Sequence, residues 1–235
     1  MITWILIGVF LGLLILILIF SATSYTRMVK TYKKYDKEFV YCNLTGLEFT
    51  EWAIDVLNLE TKIYLLDKEL DECYLPKKDI VCISNHIAET SSVSSICVAA
   101  HEIGHAVQNK KQTSLFVLQS CLSVVSKICT ILFPLLMLAG IVLIFFPAYQ
   151  DIAGILLLSS VIAIFFNFLL KIFTIPMEME ASKIAFKFLK EKNVLVGTEL
   201  KHGKKVLNAA IGTYVASLFM GILKFIRKLG RSFRR

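Results

Sequence analysis

The segment Val98-Ala-Ala-His-Glu-Ile-Gly-His-Ala-Val107 carries the pattern His-Glu-x-x-His at His101, Glu102 and His105. Residues four apart lie on one face of an α-helix, so both imidazoles can reach a single metal ion. Glu102 lies roughly 100° around the helix from His101, close enough to contact water held by that metal. Zinc is the expected ion because it binds imidazole nitrogen readily. The segment predicts a buried helix with two zinc ligands and a general base.

The composition is that of a membrane protein. The chain has 235 residues, is 56% hydrophobic and has a mean hydropathy of +0.68, too apolar for an ordinary soluble domain. Its net charge of +8 comes from basic residues beside apolar segments, which favours contact with anionic lipid over binding of nucleic acid. The six cysteines form no CxxC pair, so we interpret them as small apolar residues without a disulfide framework.

Three apolar segments are long enough to span a bilayer: Trp4–Phe20, 128–146 and 152–170. A cleaved signal peptide is the alternative for the first, but the N-terminus lacks a basic region. The basic residues that follow it mark the cytoplasmic side: Arg27, Lys30, Lys33, Lys34 and Lys37. The other two form a hairpin around 147–151, which has no Lys or Arg and is expected outside.

A fourth apolar segment, Val206–Leu223, leaves the topology open. It is interrupted by polar residues and is followed by a strongly basic tail. A fourth span would place this tail outside, against the positive-inside tendency. The segment therefore either lies along or re-enters the inner face, or the earlier charges set the orientation.

Residues 26–112 are expected to form a small soluble subdomain. An amphipathic helix is predicted around Leu47–Leu57, and strands at Thr61–Leu66 and Asp79–Ser84, joined by a loop over 67–78. A polar connection over 85–92 follows, in which Ser91 or Ser92 can cap the ligand helix. We expect the second strand to lie at a sheet edge, where it either pairs with an extended peptide or serves only the sheet.

The third metal ligand is expected where the chain returns from the hairpin. Glu178 and Glu180 lie there, shortly after Pro176, which suits the first turn of a helix. On a helix Glu178 shares a face with Ser182 while Glu180 points nearly opposite, so only one of the two can face the metal. The alternative is that both are solvated charges at the membrane edge.

Several polar residues are weaker candidates. Tyr214, Asn208 and His202 are candidates for stabilising an oxyanion, although a structural role is favoured for each. His86 lies in the polar connection and is expected to have no role at the metal. Cys97, one turn before His101, is a candidate fourth ligand.

Three blocks in order give a resemblance that is more specific than the histidine motif alone: Val98–Gln108, Pro176–Ser182 and Val206–Ala216. Together they resemble the YugP-type zinc-dependent membrane peptidases of bacteria. The resemblance implies a membrane-bound metallopeptidase of the gluzincin type, with two His and a downstream Glu on zinc. The family's second block usually reads Pro-x-Glu-Phe-Asp-Ala-Ser, so the ligand falls on Glu178 and the Asp position on Glu180. The chain departs from the family at Glu72-Cys-Tyr-Leu-Pro76, where members tend to carry an Asp-His-Tyr-Asp-Pro-like stretch.

We therefore predict a mainly α, polytopic membrane protein with three or four transmembrane helices and a small cytoplasmic α+β, zincin-like subdomain. The expected divisions are a transmembrane helix at 1–25, the soluble subdomain at 26–112, a transmembrane hairpin at 113–172, the third-ligand segment at 173–205, and a C-terminal apolar helix with its basic tail at 206–235.

The predicted function is that of a zinc metallopeptidase in the bacterial cytoplasmic membrane, with its active site on the cytoplasmic side. His101, His105 and Glu178 would bind Zn²⁺, and Glu102 would act as the base. The expected partners are a peptide or membrane-protein substrate and the lipid bilayer, with no nucleic acid. The alternatives are a non-proteolytic protein with a structural zinc site, and a scaffold or transporter with a fortuitous motif.

Overall fold

The computed structural model describes residues 2–211, apart from several side chains before residue 19, that of Lys171 and those after Ala209. This part of the chain is mainly helical, with a small sheet. Its elements in order are α1 (Ile2–Tyr35), α2 (Gly46–Val56), β1 (Lys62–Leu66), β2 (Cys73–Leu75), β3 (Ile80–Ser84), α3 (Asn85–Glu89), α4 (Val93–Lys111), α5 (Ser114–Ile144), a 3₁₀ turn (Pro147–Tyr149), α6 (Gln150–Glu191) and α7 (Gly197–Ile211).

The chain divides into two compact units. Over the described residues, one consists of 2–25 and 118–174. The other consists of 26–117 and 175–211 and contains the sheet and the His-Glu-x-x-His segment. The domain boundaries expected from the sequence stay a prediction.

The predicted hairpin lies in two long apolar helices, whose residues over 118–174 belong to the first unit. Over the described residues, α5 and the helical stretch Pro147–Glu191 are each long and apolar enough to cross a membrane. Residues 114–127 continue the same helix as the second apolar segment. The first candidate span, Trp4–Phe20, lies in α1, where many side chains are outside the described set, so it stays a prediction.

A polar contact links the two hairpin helices. Asn167 is buried; its Oδ1 accepts from Ser126 Oγ at 2.6 Å and its Nδ2 donates to Thr130 Oγ1 at 2.9 Å. Such side-chain hydrogen bonds between apolar helices satisfy polar groups that would otherwise be costly in hydrocarbon.

In the second unit the sheet has the order β1-β3-β2, with β1 parallel and β2 antiparallel to β3. Both predicted strands are confirmed as β1 and β3. The predicted loop over 67–78 was wrong in part, because it contains the third strand, β2. The expectation that the second strand lies at an edge was also wrong. Because β3 is paired on both sides, its backbone groups are not free to bind a peptide.

The amphipathic helix before the sheet is confirmed as α2. Thr45 caps it through a capping box: the Thr45 hydroxyl accepts from the backbone of Glu48, and the Glu48 carboxylate accepts from the backbone of Thr45. Phe49 and Ala53 are fully buried against the core. The polar connection that follows β3 also contains a short helix, α3, capped by Ser84.

The helix α4 is the centre of this unit and packs against α2, α7, β2 and β3. Ser92 caps it, because its hydroxyl accepts from the backbone N–H of Ser95, in agreement with the capping prediction. The helix ends at Gln112, which adopts the left-handed conformation with φ 49°. Every residue from Ala99 to Gln108 is buried. Side chains here are therefore held by packing on all sides, as a ligand helix requires.

The segment that carries Glu178 continues a helix already begun. The proposed helix start at Pro176 was wrong, because α6 runs without a break from Gln150 to Glu191 with Pro176 inside it. Proline removes one helical hydrogen bond but is tolerated inside long apolar helices, where neighbouring groups satisfy the freed carbonyl. The predicted apolar segment Val206–Leu223 begins within α7, and its residues beyond Ile211 lie outside the described part of the chain.

Helices α4 and α6 are in close backbone contact at Gly104. A Cβ placed on Gly104 would lie 2.6 Å from the carbonyl oxygen of Ala181. Only glycine allows this backbone contact, which brings α4 to the turn of α6 that carries Glu178.

We expect Gly104→Ala to lower the free energy of unfolding by about 1–3 kcal/mol, because the methyl group would overpack the contact with Ala181. The matched control is Gly154→Ala, at a helical glycine with no atom within 4 Å of the added carbon. Thermal unfolding of the detergent-solubilised variants measures both. Equal stability of the two variants would contradict the close approach at Gly104.

Candidate metal centre

Two helices distant in the sequence bring three candidate ligand side chains together. His101 and His105 lie on α4, and Glu178 lies on α6; all three are buried, with Glu178 only 1% exposed. Glu178 Oε2 lies 3.2 Å from His101 Nε2 and 3.4 Å from His105 Nε2. One nitrogen from each histidine and one carboxylate oxygen all lie within 4.8 Å of one another. The residues predicted from the motif and the downstream block thus form one group.

The second oxygen of Glu178 shows that this group fits a cation. Glu178 Oε1 is buried and has no hydrogen-bond partner among the described residues. A buried carboxylate oxygen without a partner is costly, so its presence in a folded core requires an explanation. A divalent cation between the three side chains would provide one. Two imidazoles and a carboxylate are also a known zinc ligand set, which leaves a fourth position for water.

The outer nitrogens of both rings are occupied by hydrogen bonds. His101 Nδ1 lies 3.1 Å from Ser182 Oγ, and His105 Nδ1 lies 3.0 Å from Gln108 Oε1. Both Nε2 atoms therefore point toward Glu178. Ligating histidines commonly use their second nitrogen in this way, which fixes the orientation of the ring.

Glu180 lies outside the ligand group. Its Oε2 accepts from Gln108 Nε2 at 2.6 Å and from Thr113 Oγ1 at 3.0 Å. Glu180 therefore contacts Gln108, and Gln108 in turn contacts His105. The sequence geometry, in which only one of the two glutamates can face the metal, agrees with this arrangement.

Glu102 is buried beside the histidines but is not part of the ligand group. Burial raises the pKa of Glu102, while the neighbouring His105 and His101 oppose the shift. Burial alone would lower the pKa of His105, but the charge and hydrogen bond of Glu178, the charge of Glu102 and the hydrogen bond of Gln108 together raise the pKa to about 9. The site is thus a cluster of interacting acids and bases, and a cation that binds the histidine nitrogens competes with protons for them.

The weaker candidates lie elsewhere. His86 Nε2 is 2.9 Å from Asp36 Oδ2. His202 Nδ1 is 2.8 Å from Glu38, and its ring stacks on Tyr35. Asn208 is exposed, and Tyr214 lies outside the described residues. Over the described residues, the group suited to a metal contains neither histidine.

Cys97 does not complete the ligand set. It is fully buried in the apolar core, and its sulfur lies 2.9 Å from where a Cβ on Gly203 would be. Over the described residues, the one group suited to a metal contains no cysteine.

The sequence did not lead us to identify Gln108 as a contact of His105, or Glu72 as a charge that acts on Glu102. Gln108 lies three residues after His105, so it shares the face of the ligands, and this spacing could have identified it. Glu72 begins the stretch that departs from the family pattern. Its carboxylate accepts from Ser84 Oγ at 2.6 Å, and its charge contributes to the raised pKa of Glu102.

A family model described as "Putative neutral zinc metallopeptidase" matches residues 10–232. The chain belongs to this family. It is also 27% identical over 202 residues to "Putative membrane protease YugP" of Bacillus subtilis (strain 168), with 86% of each chain covered. No solved structure matches the chain. A family named for zinc peptidase activity and a buried group suited to a divalent cation therefore coincide in one chain.

Proposed function

We propose that this protein is a membrane-embedded zinc metallopeptidase that hydrolyses peptide bonds. The observation that carries the proposal is the convergence of His101, His105 and Glu178 in a buried group, with one carboxylate oxygen that has no partner among the described residues. Membership of a zinc metallopeptidase family supports it.

In the proposed reaction, His101, His105 and Glu178 hold Zn²⁺. When bound, zinc supplies Lewis acidity toward the peptide carbonyl and lowers the pKa of water. Glu102 takes the proton of the attacking water and then passes it to the leaving amine. A base is most effective when its pKa lies near the working pH, and the rise that burial causes at Glu102 is in that direction.

The proposed substrate is a peptide or a membrane protein, and the proposed surroundings are the lipid bilayer. An extended substrate that pairs with the sheet would add to β1 or β2, which are the two edge strands of the sheet. Of these, β2 packs against α4. No nucleic-acid partner is proposed, because the basic residues adjoin apolar helices.

A structural zinc site is the main alternative. Structural sites usually close the fourth position with a protein ligand. The group formed by the described residues offers three ligands, and Cys97 is held in the apolar core. The open position favours the hydrolytic proposal.

We propose that the active site lies on the cytoplasmic side of the cell membrane. A cysteine in place of Ala148, in the exposed turn between the hairpin helices, should then react with a membrane-impermeant maleimide in intact cells. The matched site is Lys192, exposed after α6, where a cysteine should react only after the cells are lysed. The unsubstituted protein corrects for its own cysteines, of which Cys121 is exposed. If only Lys192→Cys reacts in intact cells, the protein has the opposite orientation and the active site lies on the outer side of the membrane. A cysteine in place of Ser232, labelled in the same way, shows on which side of the membrane the basic tail lies.

The proposed function is tested by quantitative proteomics of membrane fractions. Cells that contain Glu102→Gln in place of the wild type should accumulate uncleaved substrates and lose their cleavage products. Identical peptide patterns in the two strains, with the protein expressed equally, would contradict a peptidase role.

A further inference from the structure

The side chain of Gln108 connects the two helices that supply the metal ligands. Gln108 is fully buried, and each end of its amide is engaged. Oε1 lies 3.0 Å from His105 Nδ1 on α4. Nε2 donates to the Met177 carbonyl at 3.0 Å and to Glu180 Oε2 at 2.6 Å, both on α6. These two contacts lie on either side of Glu178 in the sequence.

The partners on α6 determine which way the amide points. A backbone carbonyl and a carboxylate only accept hydrogen bonds, so the amide nitrogen of Gln108 must face Met177 and Glu180. Its oxygen then faces His105 and can only accept. It follows that His105 carries its proton on Nδ1 when the ring is neutral, which leaves the lone pair of Nε2 directed at Glu178 Oε2.

Ser182 provides the same arrangement for the other imidazole. Its hydroxyl lies 3.4 Å from the carbonyl oxygen of Leu207, which accepts the hydroxyl proton, and 3.1 Å from His101 Nδ1. The serine oxygen is then left to accept from the Nδ1–H of His101. Each histidine thus has its own partner, and each partner is oriented by a backbone carbonyl.

We propose that Gln108 is a positioning residue of the metal centre, which holds His105 in the tautomer that presents Nε2 and fixes the turn of α6 that carries Glu178. The inference rests on the proposed function and assigns a residue outside the ligand set to it. Loss of such an outer hydrogen-bond partner typically weakens metal binding by about 10- to 100-fold. Because Gln108 contacts both ligand helices, its loss acts on a histidine and on the glutamate together.

The first test measures the zinc dissociation constant of the full chain in detergent, by competition with a chromophoric chelator. We expect Gln108→Met, which keeps the length but removes the amide, to raise the constant by about 10- to 100-fold. The control is Gln150→Met at the exposed start of α6, where zinc binding should be unchanged. Thermal unfolding of the metal-free proteins compares their stability without zinc.

The second test separates positioning from a general loosening of the core. The chain has only four histidines, so their ring resonances can be assigned in zinc-loaded protein with ¹⁵N-labelled histidine. Gln108→Met should remove the hydrogen-bonded Nδ1–H resonance of His105 and leave that of His101. Ser182→Ala should do the reverse. Loss of both resonances in either variant, or of neither in Gln108→Met, would overturn the proposal.

A conservative variant keeps the test decisive if Gln108→Met does not fold. The double variant Gln108→Glu with Glu180→Gln exchanges the amide and the carboxyl group, so position 108 retains an oxygen that can accept from His105 and a hydrogen bond to position 180. It should keep the Nδ1–H resonance of His105 and bind zinc more tightly than Gln108→Met, and loss of that resonance in the double variant would contradict the assigned role. If the wild type binds no zinc, the proposed function fails and the positioning role with it. If the wild type binds zinc and Gln108→Met binds it equally well, only the positioning role fails.

Discussion

Replacing Glu102 with Gln is expected to lower kcat/KM for peptide hydrolysis by about 10²- to 10⁴-fold while bound zinc is retained. The amide has the same size as the carboxyl group but cannot take a proton from water. Zinc should stay because Glu102 is not one of the three residues whose ligand atoms converge. Purified protein, a quenched fluorescent peptide and metal analysis by mass spectrometry provide the two measurements.

The matched control for this variant is Glu51→Gln, at an exposed position on α2, which should leave hydrolysis and zinc content unchanged. Full turnover by Glu102→Gln would show that Glu102 is not the base. Loss of zinc together with activity would show instead that Glu102 maintains the site.

Replacing Glu178 with Ala is expected to weaken zinc binding by about 100-fold or more, because a direct ligand is lost. Loss of an outer hydrogen-bond partner typically weakens metal binding by about 10- to 100-fold. The change also leaves His101 and His105 without the carboxylate that faces both Nε2 atoms. Equilibrium competition with a chelator measures the dissociation constant, and metal analysis after dialysis measures the retained zinc.

The chain supplies its own control two residues away. Glu180→Ala removes an acceptor from Gln108 and Thr113 but no metal ligand, so its effect on zinc should be clearly smaller. Because Gln108 keeps its bond to the Met177 carbonyl in that variant, its effect should also be smaller than that of Gln108→Met. Weaker zinc binding in Glu180→Ala than in Glu178→Ala would reverse the assignment of the third ligand.

Local patterns identified most of the secondary structure. The period of α2 and the short apolar runs of β1 and β3 each depend on neighbours in sequence, so they could be recognised without a fold. The three residues of β2 could not, because Cys73–Leu75 is too short to show an alternating pattern. With β2 missed, β3 was placed at an edge, although pairing on both sides makes it central.

The place of Pro176 in its helix is a second point at which the structure differs from the prediction made from the sequence. Proline is common in a first helical turn, so the sequence predicts a new helix there and not a continuation of the span at 152–170. Whether a proline starts or interrupts a helix depends on whether the residues before it stay helical, and here the apolar stretch that precedes it does so. That outcome depends on interactions along the whole of α6.

The sequence by itself determined the three ligands' chemistry: His101 and His105 are four apart on one helix, and the later acidic residues include Glu178. The tertiary structure alone decided how they meet. Gly104 lets α6 approach α4 by backbone contact, Glu178 is the glutamate that this approach buries, and Gln108 and Ser182 become the partners of the two imidazoles. The physical reason is that ligand spacing within one helix is set by covalent geometry, whereas the contact between α4 and α6, and every hydrogen bond across it, exists only once the core between them has packed.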